Sequence, residues 1–317
     1  MIIKKVILKL FLISLLLGVI TATIILAIPS DDNHYMLAVK DKHARLDSIT
    51  SPKIIIIGGS NTAFGIDSQM IEDSLHMPVV NMGIHVGLGL EYMINEVKPS
   101  IKKGDLVIMI PEYSLLFSNE ESGKNGVFYK TFEVYPKAIN YININNRIPT
   151  LLNAYVAILQ SKLKSQLFDS EAEQLPHIKR NHQVYRRNSY NKKGDMIAHL
   201  SMSTQVYNKT DDTFESFKER KISEKFQKWT NSLYQLTKQK QATMVMSFAP
   251  SPKSIFDKKI GNSLFKSLTE QTKFPIITNP GDVVFPDSMF FDTRYHLLKK
   301  SRMKRTEQLI RRLKALH

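Results

Sequence analysis

The chain has 317 residues, 43% of them hydrophobic, which is enough apolar material for a sizeable core and excludes both a disordered chain and a polytopic membrane protein. Lys and Arg outnumber Asp and Glu by 44 to 29, a formal charge of +15 that points to an anionic partner. Cysteine is absent, which excludes disulfides, thiolate metal sites and a cysteine nucleophile.

Leu10 to Ile28 carries no charge and as a helix spans about 28 Å, close to the thickness of a bilayer core. Lys4, Lys5 and Lys9 precede this run and Asp31 and Asp32 follow it, so the positive-inside bias predicts a cytoplasmic N-terminus and an extracytoplasmic body. The run is longer than a signal-peptide core, and no small-x-small cleavage site follows it, which favours an uncleaved, single-pass signal anchor over residues 1–28. Export weakens any nucleic-acid reading of the charge. Without the three anchor lysines the formal charge is still +12, facing membrane surface and envelope polymers.

Residues 29–52 are mixed and polar and read as a stalk. A regular domain, 53–317, begins with Ile54-Ile55-Ile56-Ile57, a β-branched run expected of a strand buried on both faces of a parallel sheet. A helix over 67–75, a strand over 79–82, a helix over 88–97 and a strand over 105–110 follow, the grammar of an α/β domain. From about 113 to 212 the pattern breaks, with a helix over 151–167 and a basic run between Pro176 and Gly194 that holds no acid, so this stretch reads as a long insertion. Asn208-Lys209-Thr210 within it matches a glycosylation acceptor, a triplet frequent by chance. Ile222, Phe226, Trp229, Leu233 and Leu236 mark an amphipathic helix over 214–240. Strands over 242–248 and 275–278 and a basic closing helix over 297–316 complete the chain.

Ligands of open parallel sheets gather at the carboxyl ends of the strands. Three stretches fall there or just before the last helix: Gly58-Gly59-Ser60-Asn61, Asn81-Met82-Gly83 and Asp292-Thr293-Arg294-Tyr295-His296. Together they supply the parts of an acyl-transfer site. Ser60 is the candidate nucleophile, His296 its base and Asp292 the group that orients the imidazole, with the Ser60 and Gly83 amides as candidate oxyanion donors. The glycine order fits neither a dinucleotide fingerprint nor a P-loop, Ser60 is not in G-x-S-x-G, and no His/Asp/Glu cluster has metal spacing. Neither cofactor nor metal is expected.

Gly58-Gly59-Ser60-Asn61-Thr62-Ala63-Phe64-Gly65, the glycine of Asn81-Met82-Gly83 and Phe291-Asp292-Thr293-Arg294-Tyr295-His296-Leu297 resemble the SGNH (GDSL-type) hydrolase superfamily. Within it, the anchored arrangement is similar to exported proteins associated with O-acetylation or D-alanylation of bacterial surface polymers. The resemblance covers Lys53 to Tyr113 and Met244 to His317. It implies a flavodoxin-like three-layer fold, a Ser60, Asp292 and His296 triad, and Ser60 and Gly83 in the oxyanion hole. Three departures stand out: Gly59 replaces the first block's Asp, Pro111-Glu112-Tyr113 lacks the third block's Asn, and three residues rather than two separate Asp292 from His296. Loss of one oxyanion donor costs ~10²–10³ in rate, and Asn61, Asn81 or Tyr113 are the candidate substitutes.

The expected function is therefore an extracytoplasmic serine esterase or acyltransferase moving a small acyl group, acetyl by preference, on an envelope glycan or polymer. The alternative is a weak or inactive SGNH-like partner of a polytopic polymer-modifying acyltransferase. The cations of the closing helix read either as a solvated face or as a contact for anionic lipid or glycan.

Overall fold

A computed structural model of the chain describes residues 2–28, 31–50, 52–117, 123–167, 176–205 and 214–316. The triplet Asn208-Lys209-Thr210 lies outside them. Helix α1 (Ile2–Ala27) starts earlier than the uncharged run, because Lys4, Lys5 and Lys9 also take helical positions. None of its residues is buried, and it is long and apolar enough to cross a membrane.

The stretch read as a stalk is, over its described part, folded onto the domain. A 3-10 turn at Tyr35–Leu37 leads into α2 (Ala38–Ser48), and Met36, Val39, His43 and Leu46 are buried. Their spacings of three, four and three put them on one helical face, a pattern masked in the sequence by the polar residues between.

Strand β1 (Ile54–Ile57) is central, and each of its isoleucines is at most 1% exposed. Full burial of such a side chain is worth about 1.5–3 kcal/mol, so this run anchors the domain. The chain then alternates through α3 (Ser60–Gly65), α4 (Ser68–Leu75), β2 (Val79–Asn81), α5 (Leu90–Val97) and β3 (Leu106–Met109). Helices α6 (Asn125–Val134), α7 (Ile144–Leu167), α8 (Pro176–Arg180), α9 (Phe214–Phe217) and α10 (Glu224–Gln239) precede β4 (Thr243–Met246). The short β5 (Ser251–Pro252), α11 (Lys258–Gln271), β6 (Val284–Phe285) and α12 (Lys299–Lys314) follow.

The four main strands are parallel in the order β2-β1-β3-β4, with Ile54 beside Val79 on one side and beside Leu106 on the other. The fifth strand expected over 275–278 is reduced to one parallel bridge, Ile276 to Met246. Ile54, Ile56 and Ile108 face one core, closed by Ile71 of α4 and Leu309 and Leu313 of α12. Ile55, Ile57, Val107 and Met109 face the larger core with α2, α5 and α10. A buried ion pair ties the strand starts together: the Lys53 Nζ donates to Asp105 Oδ2 at 3.1 Å and the Lys53 amide to Asp105 Oδ1 at 3.0 Å.

Several elements differ from expectation for local reasons. The helix read over 214–240 is broken in two, because Ser223 caps α10 by accepting from the Lys225 and Phe226 amides. Helix α7 begins seven residues before the expected helix at Leu151 and carries Pro149 in its second turn, where the ring removes the backbone hydrogen bond to the Asn145 carbonyl. Helices α6 and α11 had no expectation; α11 is capped by Asp257 and buries Leu264 and Leu268. The segment between β3 and α10 is no appendage: Phe128, Val184, Tyr185 and Met196 enter the main core. Of the cations of α12, Arg302 and Arg305 point inward and are buried.

Candidate active site

The loop leaving β1 turns through Gly58 and Gly59 into α3, with Ser60 as the first helical residue. A Cβ on Gly59 would lie 2.7 Å from the Val86 amide and 2.8 Å from Glu112 Cδ, and one on Gly83 would overlap Thr62 and lie 2.5 Å from the Gly59 carbonyl. Only glycine permits the two loops to approach this closely. Ser60 is half-buried at this junction. Among the described residues its hydroxyl makes no hydrogen bond, and its amide has no acceptor.

Glu112 occupies the crevice between the ends of β1 and β3, where the strand order reverses. Its two carboxyl oxygens accept from the amides on either side of Ser60, Oε2 from Gly59 at 3.0 Å and Oε1 from Asn61 at 3.1 Å. Burial pushes its carboxyl above the usual range, and the hydrogen bonds from Asn61 and Gly59 oppose the shift. The Glu112 carboxyl thus fills the space beside Gly59 from the end of β3.

Asp292 and His296 meet in a tight hairpin before α12. The Phe291 amide donates to the His296 carbonyl at 2.7 Å, and Phe290 bridges Leu297 antiparallel, so three intervening residues still turn both side chains to one side. His296 Nδ1 and Asp292 Oδ1 are 2.7 Å apart, both side chains at most 4% exposed. With the carboxylate ionised, Nδ1 carries the proton and Nε2 keeps its lone pair, the arrangement a general base requires. The other carboxylate oxygen accepts from the Tyr185 hydroxyl at 2.7 Å and from Asn181 Nδ2 at 3.2 Å. Burial first, and then the Asp292 charge, raise Tyr185 well above its ordinary value, so it remains a donor. The imidazole stacks on Phe64 with centroids 3.7 Å apart. Phe64 is one helical turn after Ser60 on α3, which brings the Asp292-His296 pair to the helix that Ser60 starts. No hydrogen bond joins His296 to Ser60 among the described residues.

The other expected oxyanion donors are committed elsewhere. The Gly83 amide donates to Asn81 Oδ1 at 3.1 Å. Asn81 Nδ2 donates to the Thr62 carbonyl and to Asp195 Oδ1, both at 2.9 Å, and Asn61 Nδ2 donates to the Ile110 carbonyl at 2.9 Å. The Tyr113 hydroxyl donates to the Ala249 carbonyl at 3.1 Å. All of these donors are thus engaged within the fold, and the Ser60 amide is the donor left from that set.

Tyr185, Asn181, Asp195 and His199 come from the segment between β3 and α10 and escaped the sequence reading, since nothing in the spacing shows what they meet. Asp195 is fully buried and accepts from Ser68, Asn81, Asn191 and Arg302, tying α4, β2 and α12 together. His199 lies against Phe64 and donates Nε2–H to the Leu297 carbonyl at 2.9 Å; burial pushes its pKa down to about 3, so it is neutral. No cluster of metal ligands occurs among the described residues. No family model matches the chain, and no curated protein does.

Proposed function

We propose that the chain is a membrane-anchored serine esterase or acyltransferase of SGNH type, with a flavodoxin-like domain outside the cytoplasm. The substrate is an acylated glycan or polymer of the cell envelope, acetyl being the preferred acyl group. The observation that carries the reading is the buried Asp292-His296 pair, held by Tyr185 and stacked on the helix headed by Ser60. In this reading Ser60 Oγ attacks the ester carbonyl, His296 Nε2 takes its proton and returns it to the leaving oxygen, and Asp292 stabilises the imidazolium. The Ser60 amide, flanked by the two amides that Glu112 holds, faces the developing oxyanion. Water or an acceptor hydroxyl then releases the acyl group. Helix α1 supports the anchor, and the lysines before it support a cytoplasmic N-terminus.

A second reading, an inactive partner of a polymer-modifying membrane enzyme, is favoured by the committed Gly83 amide and by the missing Ser60 to His296 hydrogen bond. Fluorophosphonate labelling and acetyl release from a generic ester and from envelope glycan separate the two. The enzyme reading expects both in the wild type and neither in Ser60→Ala; labelling that persists in Ser60→Ala overturns it, and loss of both only in variants that fail to fold leaves the partner reading in place.

A further inference from the structure

Helix α7 carries two apolar faces where a surface helix needs one. Ala154, Ile158 and Lys162 are buried at four-residue spacing and turn inward. A second stripe, formed by Ile144, Ile148, Leu152, Tyr155, Val156 and Leu163, is exposed, with Ile144, Ile148 and Leu152 at 65–72%. A water-facing helix does not keep such a stripe uncovered along its length.

Its neighbour says what covers it. The Thr21 hydroxyl of α1 is hydrogen-bonded to the Tyr155 hydroxyl, and Lys162 Nζ donates to the Ile28 carbonyl. Thr21, Ala22, Ile24, Ile25 and Ile28 are the residues of this stretch that lose exposure. Contact is therefore confined to the end of α1 nearest the domain. Helix α1 is about 39 Å long against a hydrocarbon core of ~30 Å, and its excess is the lysine-bearing N-terminal part, so its last two turns lie in the acyl chains below the face of the bilayer nearest the domain. Tyr155 of the exposed stripe meets α1 at that depth, and the contacts Thr21 to Tyr155 and Ile28 to Lys162, seven residues apart on both helices, set the two side by side. The basic segment converges on the same end: Arg186 bridges His34, and the Arg187 amide donates to the Asn33 carbonyl at 2.8 Å, just beyond α1. Lys179, Arg180, Arg186 and Lys192 are exposed there.

We infer that α7 packs beside the end of α1 at the face of the bilayer that α1 crosses, its second apolar stripe among the acyl chains and the basic segment against anionic headgroups. The domain is then held to the membrane by two elements that fix its orientation, not suspended from a single tether. This rests on the reading of α1 as a membrane span.

The natural absence of cysteine makes the test clean. Full-length chains carrying Leu15→Cys, Ile148→Cys, Leu152→Cys or Lys266→Cys are labelled with an environment-sensitive fluorophore and reconstituted in phosphatidylethanolamine/phosphatidylglycerol vesicles. Nitroxide-labelled lipid and aqueous iodide serve as quenchers. Positions 148 and 152 are expected to lose about half their fluorescence to nitroxide lipid, as position 15 does, and little to iodide, whereas position 266 shows the reverse. Quenching of 148 and 152 by iodide, or protection from both quenchers, overturns the inference while position 15 still reports lipid. Loss of lipid quenching at position 15 overturns the membrane reading itself, and the inference with it.

Discussion

Tyr185→Phe removes one oxygen from the centre of the site. The Phe ring keeps the contacts to Phe64 and Tyr35, both at 5.8 Å, and the deletion removes the hydroxyl's 2.7 Å hydrogen bond to Asp292 together with its 3.3 Å contact to His296 Nδ1. A buried hydrogen bond to a charged group contributes about 1.5–3 kcal/mol, and the vacated carboxylate oxygen keeps its 3.2 Å hydrogen bond from Asn181. At roughly 2–4 °C per kcal/mol for a domain of this class, Tm should fall by about 3–12 °C. The more specific quantity is the coupling to Asp292. A double-mutant cycle of Tyr185→Phe with Asp292→Asn, measured by denaturation of the full chain in detergent, should give at least about 1 kcal/mol of interaction energy. Additivity within about 0.5 kcal/mol would refute the claim that the hydroxyl holds the carboxylate. If the Ser60 reading is right, ester hydrolysis should also fall about tenfold, as a less firmly held Asp292 orients His296 less well.

Other outcomes follow from the same contacts. Glu112 has its folded value raised by burial, so its protonation contributes stability that is fully present below the ordinary carboxylate value and is lost as pH rises through the raised one. Glu112→Gln should flatten that decline in denaturation curves followed upward from the ordinary carboxylate range; an unchanged slope would move the effect to another group. Gly59→Asp should destabilise by at least about 2 kcal/mol because the carboxyl of Glu112 already fills the space, and Glu112→Ala in the same chain should recover part of the loss. Asp195→Ala leaves buried Arg302 without its 3.1 Å partner and should cost about 3–5 kcal/mol by chemical denaturation, with Asp195→Asn costing less. Ser60→Ala should leave Tm within about 1 °C of the wild type, because its hydroxyl holds nothing else.

The strands were readable because their signal is local. Four consecutive isoleucines admit little besides a doubly buried strand, and the apolar run before Pro29 admits little besides an exposed apolar helix. Asp292 and His296 were readable as a pair for the same reason: four positions apart, they needed only a hairpin to meet. The length of the link between β3 and β4 was visible, but its role was not. A tyrosine or aspartate in a polar stretch carries no trace of the residue it will meet a hundred positions away, and Tyr185 and Asp195 became central only when packing brought them to Asp292 and Arg302.

The opening charge divides along the same line. By itself the sequence determined that the chain is basic, thiol-free and headed by an apolar helix, since these are sums and runs that no fold can alter. Where the charge acts was decided by tertiary structure. Arg302 and Arg305 turned inward because a helix packed on a sheet must bury one face whatever residues it carries, and the buried guanidiniums found Asp195 and the Phe248 carbonyl. The oxyanion donors were decided in the same way. A buried donor goes to the nearest acceptor, so Asn61, Asn81 and Gly83 were drawn into the turn and its strand ends and Tyr113 to the Ala249 carbonyl, and Ser60 alone of that set keeps a free donor among the described residues.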